Sequence, residues 1–294
     1  MSRAGKIRVG ISGWNYRGWR GSFYPRGLPH SDELFYASRE VETIEINGTH
    51  YSLQRPDSFA KWYDETPEDF VFAVKGSRFI THLKQLRDIE TPLANFFASG
   101  VLRLDEKLGP FLWQFPPRFR FDAERLEHFF SLLPRDTEAA AAIAERHDQR
   151  LAGRAFTRVE RKQKLRHAVE IRHSSFLEPT FIALLQQHEM ALVFADSVAW
   201  PYAEDVTSDF VYLRLHGSEE LYASGYSDEA LDDWAARIKL WAKGLEPNDA
   251  RLTAPGSKPS RCGARDVFVY FDNDAKVRAP FDARALRAKL ADHS

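Results

Sequence analysis

The chain has 294 residues, with 41 Lys and Arg against 42 Asp and Glu, giving a formal net charge of −1. That balance excludes global charge as a handle on nucleic acid or an anionic membrane; such a partner needs a local patch. The single cysteine, Cys262, excludes an intrachain disulfide and a cysteine zinc cluster, and in its Pro/Gly/Ser-rich surroundings it reads as an incidental loop thiol. The first residues lack the apolar core of a signal peptide, and no apolar run approaches the roughly 20 residues that span a bilayer. The expectation is a cytoplasmic protein with no membrane partner.

The first apolar run is Ile7–Gly13, followed by Thr43–Asn47. A helix is predicted over Asp57–Glu65, behind Pro56, a residue suited to a first turn. The run Phe70–Gly76 comes next, then a helix opened by Thr91-Pro92, the run Gly109–Phe115 and a helix over Asp122–Leu133 with Leu and Phe at helical spacing. The second half repeats the alternation. Its runs are His167–His173, Ala191–Ser197, Phe210–Gly217 and Asp266–Asn273, and its helices Glu178–His188, Asp228–Lys243 and Phe281–Ala291. Short runs rich in Val, Ile and Phe, flanked by glycine, fit strands buried on both faces. Eight such strands alternating with helices predict a single domain over residues 1–294, a (β/α)8 TIM-type barrel, with a doubly wound open sheet as the alternative.

One interval is too long for a simple connection. Asp136–Lys164 reads as a helical insertion between the fourth and fifth strands. Arg146, Arg150, Arg154 and Arg158 recur there every four residues, which on a continuous helix makes one basic stripe. A solvated helix face is the plainer reading, and a phosphate- or nucleic-acid-facing patch the functional one. Glu246–Arg265 reads as a surface loop.

Charges interrupt the apolar runs at their carboxyl ends, the face on which such barrels assemble their sites. The first run supplies Ser12 and Trp14, the second Glu45 and Asn47, the third Lys75 and the fourth Gln114. The fifth supplies Glu170, Arg172 and His173, the sixth Asp196, the seventh Arg214 and His216, and the eighth ends Phe-Asp-Asn-Asp, carrying Asn273. Salt bridges such as Glu45 with Lys75, or Glu170 with Arg172 or Arg214, fit a mouth that is only tied together. As an ensemble the residues read as a pocket.

Three chemistries fit this set. In the first, Arg172, Arg214 and Lys75 grip the phosphate or carboxylate of a small molecule while Glu45, Glu170, Asp196 and His216 supply acid–base groups. His82, beyond the third strand, adds an anion contact. In the second, Glu45, Glu170, Asp196 and His216 converge on a divalent metal; no ligand-spacing motif supports this and the nearby arginines repel a cation, so metal is disfavoured. In the third, the pocket binds a ligand without chemistry, with Trp14, Tyr16, Trp19, Phe23, Tyr24 and Tyr51 as a stacking surface or as hydrophobic cover. No P-loop, GxGxxG or nucleophile elbow supports a common nucleotide cofactor.

The motifs together resemble the YecE-like family, also called domain of unknown function 72. They run Gly13-Trp14-Asn15-Tyr16, Phe23-Tyr24-Pro25, Val41-Glu42-Thr43-Ile44-Glu45-Ile46-Asn47, Phe72-Ala73-Val74-Lys75 and Ile80-Thr81-His82. They continue as Gln114-Phe115-Pro116-Pro117, Val169-Glu170-Ile171-Arg172-His173, Arg214-Leu215-His216-Gly217 and Phe271 with Asn273. The resemblance spans nearly the whole chain. It implies a (β/α)8 barrel, similar in general shape to sugar-isomerase and endonuclease IV-like barrels, and no established activity. The chain departs from the family pattern at Phe176, where Trp is common, and at Asp272-Asn273, where Asn-Asn is common; Asp272 adds a charge to the site.

Overall fold

Strands buried on both faces carry apolar side chains on both parities, and the eight predicted runs do so in the computed structural model, which describes residues 4–217, 221–257 and 263–291. They form β1 (Ile7–Ser12), β2 (Thr43–Ile46), β3 (Val71–Lys75), β4 (Leu108–Gln114), β5 (His167–Glu170), β6 (Ala191–Asp196), β7 (Phe210–Leu215) and β8 (Asp266–Phe271). Each pairs in parallel with the next, and β8 returns to β1 through Ile7↔Val267 to Ile11↔Phe271. The sheet is a closed barrel, and the open alternative is excluded.

The predicted helices are present as α3 (Pro56–Glu65), α4 (Glu90–Ala98), α5 (Ala123–Leu132), α7 (Pro179–Gln187), α8 (Asp228–Ala242) and α9 (Ala279–Ala291). Proline opens α3 and α7, while Asp122 and Ser227 cap α5 and α8 by accepting the backbone N–H of Arg125 and Ala230 at 3.1 and 3.2 Å. Two helices escaped the pattern reading, α1 (Glu33–Glu40) and the single turn α2 (Gly48–Tyr51). Both are too short to display a helical period. No helix among the described residues is long and apolar enough to cross a membrane.

The insertion is helical only at its start. Asp136 caps α6 (Thr137–Ala144), accepting from the Ala139 N–H at 2.8 Å, and the helix stops after eight residues. Asp148 then turns back to cap Arg150 N–H, a 3-10 turn covers Gln149–Leu151, and Gly153 takes φ +74°. Arg146, Arg150, Arg154 and Arg158 therefore lie on four different pieces of backbone. The single helical stripe predicted for them does not form, because local capping by Asp148 competes with helix propagation. The insertion is tied down instead, by an antiparallel bridge of Asp136 to Lys164 and by the Phe156 N–H on the Ala98 carbonyl at 2.8 Å. Cys262 lies outside the described residues, as do 258–262 of the predicted surface loop.

Alternation along the strands fills the barrel. Ala73, Leu112, Ala168, Val193, Ala195, Phe210, Tyr212, Phe268 and Tyr270 form an inner cluster, distinct from the shell between strands and helices. Ala73 on β3, Ala168 on β5 and Val193 and Ala195 on β6 leave room for the aromatic ones on β7 and β8. Tyr270 reaches across to hydrogen-bond Thr43 Oγ1 at 2.9 Å. Gly10 sits on this inner series, and a Cβ there would stand 1.8 Å from the Thr43 carbonyl oxygen of the paired strand. Backbone cannot yield as a side chain does, so Gly10→Ala is expected to cost about 3 kcal/mol or more, measured as a fall in the urea midpoint.

Candidate functional site

The inward series does not stop at the inner core. Continuing each strand by two residues gives Ser12 on β1, Glu45 on β2, Lys75 on β3, Gln114 on β4, Glu170 and then Arg172 on β5, Arg214 on β7, and Asp272 and then Asp274 beyond β8. The apolar core thus gives way to a polar layer at the carboxyl ends of the strands.

Arg214 is the centre of that layer and is fully buried. Its Nη1 donates to Glu170 Oε2 at 2.7 Å, and its Nη2 donates to Glu45 Oε1 at 2.9 Å and Asp272 Oδ2 at 2.6 Å. Its Nε reaches Glu45 Oε2 at 3.2 Å. Glu45 also accepts from Ser12 Oγ at 3.1 Å and the Tyr212 hydroxyl at 2.6 Å. Glu170 accepts from Gln114 Nε2 at 2.9 Å and Arg172 Nε at 2.8 Å. Burial alone would raise the Glu170 carboxyl, but Arg172, Arg214, His216 and Lys75 outweigh it and hold the group well below the carboxylate range. Burial opposes ionisation of Asp272 too, and Arg214 and His216 bring it down to about 2.

Above this layer opens a pocket of about 670 Å³. Trp14, Tyr16, Tyr51 and Trp62 wall one side, with Trp14 edge-on to Trp62 at 5.3 Å. Lys75, Gln114, Arg172, Tyr222, Asp272 and Asp274 supply its polar surface. Lys75 is 7% exposed, and among the described residues its Nζ has neither a hydrogen-bond acceptor nor a carboxylate within 4.0 Å. Burial and the neighbouring Arg214 push its ammonium down to about 8, against the opposing pull of Glu45, Glu170 and Asp272. Arg172 uses Nε for Glu170 and Nη2 for the Tyr222 hydroxyl at 3.2 Å, and its guanidinium stacks on Trp200 at 4.4 Å. Tyr222 is held at φ 62°, the left-handed region, where a bulky residue is strained. Asp274 is pushed the other way: burial and then Asp272 raise its carboxyl to about 6.

The pocket is therefore electrically two-sided. Asp272 and Asp274 face it from β8. The opposite side, around β3 and β5, is cationic enough that burial, Arg172, Lys75, Arg78 and Arg118 together lower His82 to about 4.

Of the residues singled out from sequence, Trp14, Asn47, Lys75, Gln114 and Arg172 line the pocket. Glu45, Glu170 and Arg214 lie in the layer beneath it, bound to one another. Arg214 is thus corrected from an anion clamp to the hub that bonds Glu45, Glu170 and Asp272 at once, and Glu45 pairs with Arg214 instead of Lys75. His216 is fully buried; its Nδ1 lies 3.2 Å from Asp272 Oδ2, but neither ring nitrogen makes a well-directed hydrogen bond to a described residue.

Four others lie off the pocket. Asp196 follows the outward parity of β6 and accepts from the Tyr226 hydroxyl at 2.7 Å. Asn273 is outward on β8, and its Nδ2 donates to the Ser224 carbonyl at 2.9 Å and to Asp282 Oδ2 at 2.7 Å. His173 caps the turn Ser174–Phe176, and His82 turns Nδ1 to Thr81 Oγ1 at 2.8 Å. Asp196 and His216 accordingly do not join Glu45 and Glu170 in a metal set, and no group of three or more His, Cys, Asp or Glu among the described residues is placed to hold an ion. The aromatic cluster is divided: Trp14, Tyr16 and Tyr51 face the pocket, whereas Trp19, Phe23 and Tyr24 are buried in the core. Sequence reading met Asp274 only as the end of the Phe-Asp-Asn-Asp run, and passed over Trp62, Gln54 and Tyr222. Strand parity reaches Asp274; the other three come from loops and helices with no periodic signal.

Comparisons with known proteins agree with this architecture. Over 246 residues the chain is 24% identical to the UPF0759 protein YecE of Escherichia coli (strain K12), covering 82% of this chain and 84% of that one. The UPF0759 protein YunF of Bacillus subtilis (strain 168) is 29% identical over 127 residues, or 42% of this chain and 44% of that one. A DUF72 family protein from Thermotoga maritima MSB8 superposes with a TM-score of 0.72 at 23% identity, over 97% of this chain and 99% of that one. One from Enterococcus faecalis V583 gives 0.65 at 18% identity, over 99% of both. The family model for "Protein of unknown function DUF72" matches residues 8–294, and with that reach the chain belongs to the DUF72 family.

Proposed function

We propose that the barrel mouth is an active site for acid–base chemistry on a small anionic molecule of sugar-phosphate or nucleotide-like size. The observation that carries this reading is the two-sided pocket: Lys75 and Arg172 on one side, Asp272 and Asp274 on the other, around a space of about 670 Å³. Arg172 is the anion anchor, because it alone of the two arginines reaches the pocket and keeps one nitrogen, Nη1, without a hydrogen bond to a described residue. Asp274 is the acid–base group, since a carboxyl near 6 exchanges protons close to neutral pH. Glu45 and Glu170 then act from below, holding Arg214 and orienting Arg172. The aromatic wall suits the apolar face of a sugar ring or a base.

The test is calorimetric titration of the full chain with glycerol 3-phosphate and with inorganic phosphate at low salt. Binding is expected, and Arg172→Ala is expected to weaken it about tenfold or more, the worth of one charge-assisted hydrogen bond. Absence of binding at millimolar ligand, or binding indifferent to Arg172, overturns the reading.

A further inference from the structure

Lys75 is an unusual group to find with no ion-pair or hydrogen-bond partner for its ammonium among the described residues. A buried ammonium ordinarily sits against a carboxylate, because desolvation without one is costly. Three carboxylates lie in the layer around it, yet all three are taken by Arg214. The amine is left on the inner face of β3, 7% exposed and lining the pocket. Arg214 and Arg172 supply two of the three balancing charges, and Lys75 supplies the third only through space, with no carboxylate bonded to it among the described residues. A desolvated lysine beside another fixed cation is the arrangement that activates an amine as a nucleophile.

Resting on the anion-pocket reading above, we propose that Lys75 attacks the carbonyl carbon of a phosphorylated aldehyde or ketone held by Arg172, forming an iminium with it. The Nζ lone pair forms the new carbon–nitrogen bond and the carbonyl π pair moves to oxygen. Asp274 relays a proton from nitrogen to that oxygen, giving a neutral carbinolamine. Asp274, protonated, then gives a proton to the hydroxyl, which leaves as water while the nitrogen lone pair closes the iminium. The sum is amine, carbonyl and carboxylic acid to iminium, water and carboxylate, with nothing oxidised or reduced. With its ammonium near 8, roughly a quarter of Lys75 is free amine at pH 7.5, against roughly a thousandth of an ordinary exposed lysine.

The experiment incubates the full chain at pH 7.5 with glycolaldehyde phosphate and cyanoborohydride, which reduces an iminium to a stable secondary amine, and maps the adduct by peptide mass spectrometry. One adduct on Lys75 is expected, formed about tenfold or more faster than on any exposed lysine and suppressed by glycerol 3-phosphate. Lys75→Arg, which keeps the charge but not the nucleophile, is expected to lose the adduct while still binding glycerol 3-phosphate. Lys75→Met provides a second variant without the amine. If glycerol 3-phosphate binds but labelling is absent or spread evenly over surface lysines, the iminium proposal is overturned and the anion pocket stands. If neither compound engages the pocket, both fall.

Discussion

Arg214→Met is expected to destabilise the fold by about 3–5 kcal/mol at pH 7, the range for removing one partner from a buried ionic cluster. The side chain of Arg214 is fully buried and holds Glu45, Glu170 and Asp272 at once. Methionine fills much of its volume but leaves three carboxylates facing one another. In the native protein Glu170 and Asp272 titrate below their unfolded values, so their contribution is present above about pH 4 and is lost as pH falls through the folded value, about 2 for Asp272. The variant loses the share of that contribution that Arg214 supplies, while Arg172 still acts on Glu170 and His216 on Asp272. The gap between the two proteins is therefore largest at neutral pH and narrows over the acid window between 4 and 2. Urea unfolding across that range measures it. Adding Glu170→Gln to Arg214→Met should recover part of the loss, because it removes one of the uncompensated charges; strict additivity of the two changes would show that the cluster is not coupled.

Asp274→Asn is expected to act in the opposite direction and stabilise the protein by about 2–3 kcal/mol above pH 7. Burial and the adjacent Asp272 raise this carboxyl from 3.8 to about 6, so the folded chain binds the proton more tightly than the unfolded one. The stability linked to this group is fully present below about pH 4 and is lost as pH rises through about 6. Asparagine cannot ionise and escapes that loss. The two proteins should thus match near pH 4 and diverge between 4 and 7, as read from melting temperatures. A gain in stability on changing a pocket residue is what a group kept for its chemistry predicts. Equal stability at every pH would mean that Asp274 is not held at a raised value.

Most of the barrel was legible in the chain itself. Runs such as Phe-Val-Tyr-Leu-Arg-Leu on β7 are apolar on both parities, and only a strand covered on both faces needs that. Much of the site was legible too. Along β7 the inward series reads Phe210, Tyr212, Arg214, and along β8 Phe268, Tyr270, Asp272, so the step from core to pocket is written in the same period of two. The misplacements follow from the same rule. Asp196 and Asn273 were chosen for their position at strand ends, yet both stand on the outward parity and bond to Tyr226 and Asp282. The arginine stripe failed for a different reason: a repeat of four marks one face only while the helix continues, and α6 ends at Ala144.

What the chain by itself determined is thus the succession of strands and helices and the layer in which charge appears, because both follow from local periodicity and from the cost of burying polar groups. Which charges neutralise each other was decided only by the tertiary structure. Arg214 is 169 residues from Glu45 and 44 from Glu170, and their pairing depends on distances across the closed barrel that no local pattern encodes. That closure gives the carboxylates to Arg214 and leaves Lys75, alike in charge and strand position, facing the pocket without an ion-pair partner among the described residues.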